Sequence, residues 1–392
     1  MKKILIISGG IWVPAIDMAG TKAIFNHIKE INTNENIKID VLTTVPKWAY
    51  KSNQEWLYKI ECDLGIKIYS VNEPRHYFSK TLGQVISRVI LLLKVYRLCK
   101  KNRYQIVHDY VSSPVLFLLS YFYLYVCKAK VIFTLCTYSN SLGNNNKSFL
   151  NSSIHSIIFL SKNMMKYYES QNTKEIGQYF IPLGIDLSYS KNLSEDISYN
   201  SEFIDKQIIL YVGPLEERKG IFVFAEAAKL MNRCNPNNNY IFLIISFGKT
   251  DLDLNHEKSK NLVKSLIGSN VKILTGQQNI LNYMTQCSVF VYPMVRMYGT
   301  LAQPHTLIEA IKSNIPIVYS TLEELDAFSS YGKSYRFQTG RADLCAKKII
   351  QALDEVSNNK FENDILYNKD ALKHYNIISQ GKKVTDLYQS IS

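Results

Sequence analysis

Short apolar runs rich in β-branched residues alternate along the chain with stretches of helical periodicity. That alternation predicts parallel sheets joined by crossover helices. In the first half, residues 3–8, 37–43, 67–71, 105–108, 131–135, 156–160 and 178–181 read as strands, with helical patterns such as 21–31 and 81–101 between them. The order then restarts. Residues 207–212, 240–246, 271–274, 289–292 and 315–319 form a second strand series, and 222–232, 280–286 and 306–313 read as its helices. A polar segment with several Ser and Asn, 188–206, separates the two series. The expected fold class is α/β, with two Rossmann-like doubly wound domains facing a central cleft. The expected domains are residues 1–185 and 186–370, with a C-terminal helix over 371–392 crossing back to the first. In open α/β sheets ligands bind beyond the carboxyl ends of the strands, so chemistry is expected there.

Composition narrows the class without naming it. Hydrophobic residues make up 46% of the 392, enough for packed cores. The apolar stretch Val115 to Val126 is too short to span a bilayer and reads as a buried helix. The run Ile4 to Ile7 is too short for a signal sequence. Seven cysteines, none spaced as CxxC, argue against a disulfide framework or a zinc site and fit a reducing cytoplasm. The net charge of +13 points to an anionic partner: nucleic acid, a membrane surface or a phosphorylated ligand. No zinc-finger spacing, RNP-like signature or dense basic arm supports nucleic acid.

Two loops carry candidate phosphate chemistry. The first, Gly213-Pro214-Leu215-Glu216-Glu217-Arg218-Lys219-Gly220, joins a strand to a helix. Two cations at a helix start oppose its dipole, and a bound diphosphate would remove that conflict. The alternative is neutralisation by Glu216 and Glu217 on a solvated loop. The second loop, Tyr298-Gly299-Thr300-Leu301-Ala302-Gln303-Pro304-His305-Thr306-Leu307-Ile308-Glu309-Ala310, also opens a helix. Gly299 permits close backbone approach, and Glu309 could reach the hydroxyls of a ribose. The alternative is a Thr306–Glu309 capping box.

The order of these motifs resembles that of the retaining nucleotide-sugar glycosyltransferases of the GT-B fold, the family-four type (glycosyl transferases group 1). The matching landmarks are Val212-Gly213…Lys219-Gly220, Leu307-Ile308-Glu309-Ala310, Asn314-Ile315-Pro316-Ile317-Val318, Gly9-Gly10, Gly276 and Ile181-Pro182-Leu183-Gly184-Ile185-Asp186. The resemblance implies Lys219 on the diphosphate and Glu309 on the ribose. Three departures stand out. Pro214 replaces the family's usual arginine, Leu301 the first glutamate of its Glu-x7-Glu pair, and Cys136 stands near an expected histidine. Arg218 or Arg296 could replace the arginine. Backbone N–H groups around Gly299, Thr300 and Ala302, with Gln303, could replace the glutamate.

The resulting expectation is a cytoplasmic hexosyltransferase-type enzyme that moves a sugar from a nucleotide diphosphate sugar to an acceptor hydroxyl with retention. Its setting would be bacterial surface polysaccharide or glycolipid assembly. Donor binding falls to Gly213, Arg218, Lys219, Arg296, Gly299, Thr300, Gln303 and Glu309. His108 and Asp109, read at the end of a strand, are the catalytic candidates, Asp109 able to orient or deprotonate an acceptor hydroxyl or else to cap the next helix. Gly10, Gly20 and Tyr138 stand on the acceptor side. No metal or other cofactor is expected, since Lys219 and helix dipoles can stabilise a leaving diphosphate. The acceptor is a glycan or lipid-linked glycan, not nucleic acid. From Arg75 to Arg103 the chain has eight Lys or Arg and no Asp or Glu. With Lys94, Arg97 and Lys101 on one helical face, residues 80–103 suggest peripheral contact with an anionic membrane. The alternatives are a core-packed helix with a solvated basic side, a non-catalytic GT-B-like subunit that stabilises an active partner, and a nucleotide-sugar epimerase.

Overall fold

The computed structural model describes residues 1–9, 19–46, 50–73, 80–111, 128–137, 154–169, 176–187, 206–235, 239–246, 254–268, 270–275, 280–297, 300–357 and 372–391. The stretch Val115 to Val126 and most of the 188–206 segment lie outside them, as do Gly10, Tyr138, Gly276 and Gly299. The chain forms two compact units. The first is Met1–Asp186 with Tyr298–Gln303 and His374–Ser392; the second is Leu187–Met297 with Pro304–Lys373.

The first unit is built on seven parallel strands: β1 (Lys2–Gly9), β2 (Ile37–Pro46), β3 (Lys67–Glu73), β4 (Ile106–Val111), β5 (Lys130–Leu135), β6 (Ser156–Phe159) and β7 (Gly177–Phe180). Their order is β3-β2-β1-β4-β5-β6-β7. Side chains of a strand alternate between faces, and both faces of this sheet are buried. Ile4, Ile6, Ile39 and Val41 pack on one side against α1 (Ala19–Ile31), α2 (Tyr50–Leu64) and α10 (Ile377–Ser390). Leu5, Ile7, Leu42 and Val107 pack on the other against α3 (Lys80–Asn102). A further helix, α4 (Lys162–Glu169), buries Met164.

The chain end is therefore part of the first unit. Asn376 caps α10 by accepting from the Ile378 and Ser379 N–H groups. Lys2 donates to the carbonyls of Tyr388, Gln389 and Ile391 at its other end, where a cation suits the dipole. At Gly184 a Cβ would stand 2.2 Å from Ile377 Cα, so the chain passes there only because that side chain is absent.

The second unit carries six strands: β8 (Gln207–Val212), β9 (Tyr240–Ser246), β10 (Val271–Thr275), β11 (Val289–Tyr292), β12 (Ile317–Ser320) and β13 (Ser334–Phe337). Their order is β10-β9-β8-β11-β12-β13, and every pairing is parallel. Its helices are α5 (Ile221–Cys234), α6 (Leu254–Ile267), α7 (Ile280–Met284), α8 (His305–Lys312) and α9 (Ala342–Ser357). Sequence periodicity misses β13, which is four residues long with an exposed Arg336, and it misses the largely polar α6 and also α9.

A buried polar network crosses the first unit. His108 Nδ1 meets the Tyr388 hydroxyl of α10, its Nε2 lies 2.7 Å from Thr134 Oγ1, and its ring stacks on Tyr110 at 4.6 Å. His27 of α1 is buried beside Tyr110. Burial holds His27 down at about 4 and His108 at about 3. Both folded values lie below the roughly 6.5 of an unfolded histidine, so below that pH the unfolded chain binds more protons. Stability should be full above pH 6.5 and fall as the pH drops towards 4, each histidine costing about 2 kcal/mol between pH 7 and 5. Urea titrations across that range check the slope. A His27→Gln variant should lose about half of it.

Candidate donor site

In the second sheet the strand order reverses between β8 and β11. This is the switch point at which open α/β sheets accept ligands. Both candidate loops leave from it.

After β8 the chain runs through Gly213, whose N–H donates to Ile245, and Pro214, whose carbonyl accepts from the buried Tyr211 hydroxyl at 2.9 Å. A 3-10 turn, Glu217–Lys219, follows, and then Gly220 at φ 78° ends that turn and starts α5. A Cβ on Gly220 would sit 1.7 Å from the Pro293 carbonyl oxygen. Glycine is thus required twice there, for the left-handed backbone and for the close approach of the loop after β11. The two loops are laced together. The Arg218 carbonyl accepts from Val295 N at 3.1 Å and from Arg296 N at 3.4 Å.

The two cations differ in their partners. Arg218 pairs with Glu216 at 2.5 Å. The neutralising arrangement foreseen for the loop therefore holds for Arg218. Lys219 has neither a hydrogen bond nor an ion pair for its ammonium among the described residues. Burial, with Arg218 nearby adding to it, lowers its pKa to about 8. No side chain caps α5, so its leading N–H groups add positive potential at the same end. Arg296 is exposed on the partner loop.

The second motif behaves differently in its two halves. Helix α8 starts at His305, with Pro304 before it and no side-chain cap. Thr306 lies inside the helix, so the Thr306–Glu309 capping box does not form. Glu309 is half-buried one turn in. The upstream residues belong to the first unit. Leu301 bridges Thr137, the Ala302 N–H donates to Cys136 at 2.7 Å, and the Gln303 amide exchanges two hydrogen bonds with the Leu183 backbone, at 2.8 and 2.6 Å. Gln303 and Ala302 are each 1% exposed. This corrects the reading of Gln303 and the Ala302 N–H as ligand donors: their hydrogen-bonding capacity is taken by protein backbone. Thr300 is buried with them.

His108 and Asp109 also sit differently from the sequence reading. Strand β4 continues to Val111, so both lie within the sheet, fully buried, and not at its carboxyl end. Both His108 nitrogens are occupied, which leaves the ring no lone pair or proton for a substrate. Gly20 lies in the first turn of α1. The chain's one Asp-x-Asp, Asp251-Leu252-Asp253, lies outside the described residues.

This fold, two units each built on one parallel α/β sheet, is the GT-B architecture. Residues 206–355, less than half of the chain and, apart from Tyr298–Gln303, all within the second unit, match the family described as Glycosyl transferases group 1. Over 192 residues the chain is 24% identical to the UDP-Gal:alpha-D-GlcNAc-diphosphoundecaprenol alpha-1,3-galactosyltransferase of Escherichia coli, a match that covers 46% of this chain. It spans less than half, 45%, of that relative's length. Among solved structures, HepE of Anabaena in complex with UDP and glucose superposes with a TM-score of 0.72 at 10% identity over 100% of both chains. A glycosyltransferase from Rickettsia africae gives 0.72 at 15% identity over 100% of this chain and 98% of that one. Sucrose-phosphate synthase of Thermosynechococcus elongatus gives 0.74 at 13% identity over 100% and 99%. At these identities the likeness is one of fold.

The switch-point geometry makes a stability contrast. Gly220→Ala should destabilise the second unit by about 2 kcal/mol or more, through strain and overlap. Glu309→Ala, which removes no cap, should cost under about 1 kcal/mol. Thermal unfolding followed by circular dichroism orders the two, and a larger loss for Glu309→Ala would restore a structural role for that carboxylate.

Proposed function

We propose that the protein transfers a sugar from a nucleoside-diphosphate sugar to a hydroxyl of a lipid-linked glycan acceptor, with retention, in the assembly of a surface polysaccharide or glycolipid. The observation that carries the reading is Lys219, a largely buried ammonium with a lowered pKa and no ion pair or hydrogen bond among the described residues, at the uncapped start of α5. A diphosphate supplies the missing countercharge. Glu309 holds the ribose, and the exposed Arg296 provides a second cation for the phosphates. As the bond to the sugar breaks, negative charge grows on the leaving phosphate, and Lys219 with the helix N–H groups stabilises it without reorganising. No metal is required for that step. The acceptor class, and uridine as the first base to test, are supported by the activity of the Escherichia coli relative and by the UDP in the Anabaena structure.

A second reading is a donor-binding subunit without activity of its own. It is favoured by Leu301, an apolar side chain packed against the first unit's core where the family carries a glutamate. Turnover of UDP-sugars by the purified chain separates the two.

Calorimetry should show UDP, or failing that GDP or ADP, binding to the folded protein. Binding of none of them would end the donor-site assignment. Lys219→Met should weaken binding by about 10- to 100-fold, the worth of a charged hydrogen bond. Lys219 is protonated below about pH 8 in the free protein, and a bound diphosphate would hold the proton to higher pH. Affinity should therefore be constant below pH 8 and fall above it, by up to about tenfold per pH unit. A pH-independent affinity from 7 to 10 would remove Lys219 from the site.

A further inference from the structure

Helix α3 covers one face of the first sheet with Leu91, Leu92, Val95, Leu98 and Cys99. Its opposite face is also apolar. Val89, Ile90, Leu93 and Tyr96 are 41%, 39%, 45% and 37% exposed. At i, i+1, i+4 and i+7 they share one side of the helix. Such a stripe is not expected on a helix that faces only water.

Cations continue the outward face where the apolar residues stop. Arg97, Lys100 and Lys101 are exposed along the last turns of α3. Lys94, expected among them, instead turns its ammonium over the Tyr69 ring at 5.9 Å and is half-buried. Beside the helix end lies a cleft of about 360 Å³ lined by Tyr96, Lys100, Arg103 and Lys128, with no carboxylate among the described residues of its walls. Arg103 adopts φ 52° at the position after the helix where glycine or asparagine is usual. A long cation is thus kept at a left-handed position, with its side chain lining the cleft. The neighbouring cavity of about 500 Å³ holds Asp40 and Glu61 as well as lysines, so its charge is mixed.

We propose that the outward face of α3 is a membrane-docking surface. Val89, Ile90 and Leu93 enter the acyl boundary of an anionic bilayer, Tyr96 lies at headgroup level, and a lipid phosphate sits in the cleft of Lys100, Arg103 and Lys128. The occupant is a bilayer and not a second protein because the apolar stripe is followed by cations alone: the chain has no Asp or Glu from Arg75 to Arg103. The inference deepens the reading of the acceptor as lipid-borne. Docking would hold the first unit against the surface that presents it.

The test is flotation of the full chain with phosphatidylcholine vesicles, with and without phosphatidylglycerol, at low and high salt. UDP calorimetry on the same samples reports the donor site separately. The parent should float only with the anionic vesicles, less at high salt. An Ile90→Glu/Leu93→Glu variant should stay in solution with either. Lys100→Gln/Arg103→Asn/Lys128→Gln should bind about 100-fold more weakly, at roughly fivefold per cation. Both variants should melt as the parent does, because every altered side chain is exposed or lines an open cleft. A parent that ignores anionic vesicles at low salt overturns the proposal, as does a cation variant that floats like the parent. UDP binding without vesicle binding overturns docking alone, and vesicle binding without UDP binding overturns the donor reading alone.

Discussion

A parallel sheet must be covered on both faces, and that requirement organises the first unit. Its apolar residues alternate strictly, Ile4 and Ile6 to one side and Leu5 and Ile7 to the other, so neither face can be left to water. Helix α3 closes one side. The other draws on α1, α2 and the end of the chain, where Val384, Leu387 and Tyr388 complete the core. The close passages at Gly184 and Gly381, the Lys2 cap and the histidine network follow from seating α10 there. Tyr388 serves both needs, since its ring fills the core and its hydroxyl satisfies His108. Without that hydroxyl a buried imidazole nitrogen would be left unpaired.

The second unit spends its unusual chemistry at one place. Elsewhere its core is ordinary close packing of Ile, Val, Phe and Ala between α5, α9 and the sheet. At the switch point between β8 and β11 the chain uses a left-handed glycine, an uncapped helix start and an ammonium with no hydrogen bond or ion pair among the described residues. Each is mildly unfavourable to the free protein. A bound anion would offset the positive potential they gather there.

Charge and hydrophobicity are also separated along α3. A helix with one buried and one exposed apolar side contributes to the fold with the first and leaves the second available for another medium. The +13 net charge, uninformative as a bulk number, becomes specific only where cations line one cleft with no carboxylate among its described residues.

The sequence by itself determined the two strand series, all seven strands of the first sheet and the glycine-bounded loop after β8, whereas Lys219 and Glu309 came forward as donor contacts through the family resemblance. Those features are local. They rest on alternation over four to eight residues, on glycine where no Cβ fits and on residue types at a helix start. Only the tertiary structure decided which cation is paired, because Glu216 and Glu217 both lie within three residues of Arg218 and Lys219, and it is Glu216 that salt-bridges Arg218 in space. It likewise removed His108 and Gln303 from the ligand-facing set. Their partners are Tyr388, 280 residues away, and Leu183, 120 residues away, and no local pattern encodes them. The same holds for Lys94, which helical spacing assigns to the basic face and which the Tyr69 ring of β3 turns inward. Periodicity records the side of an element on which a residue lies. What occupies that side is fixed by which distant segment packs there.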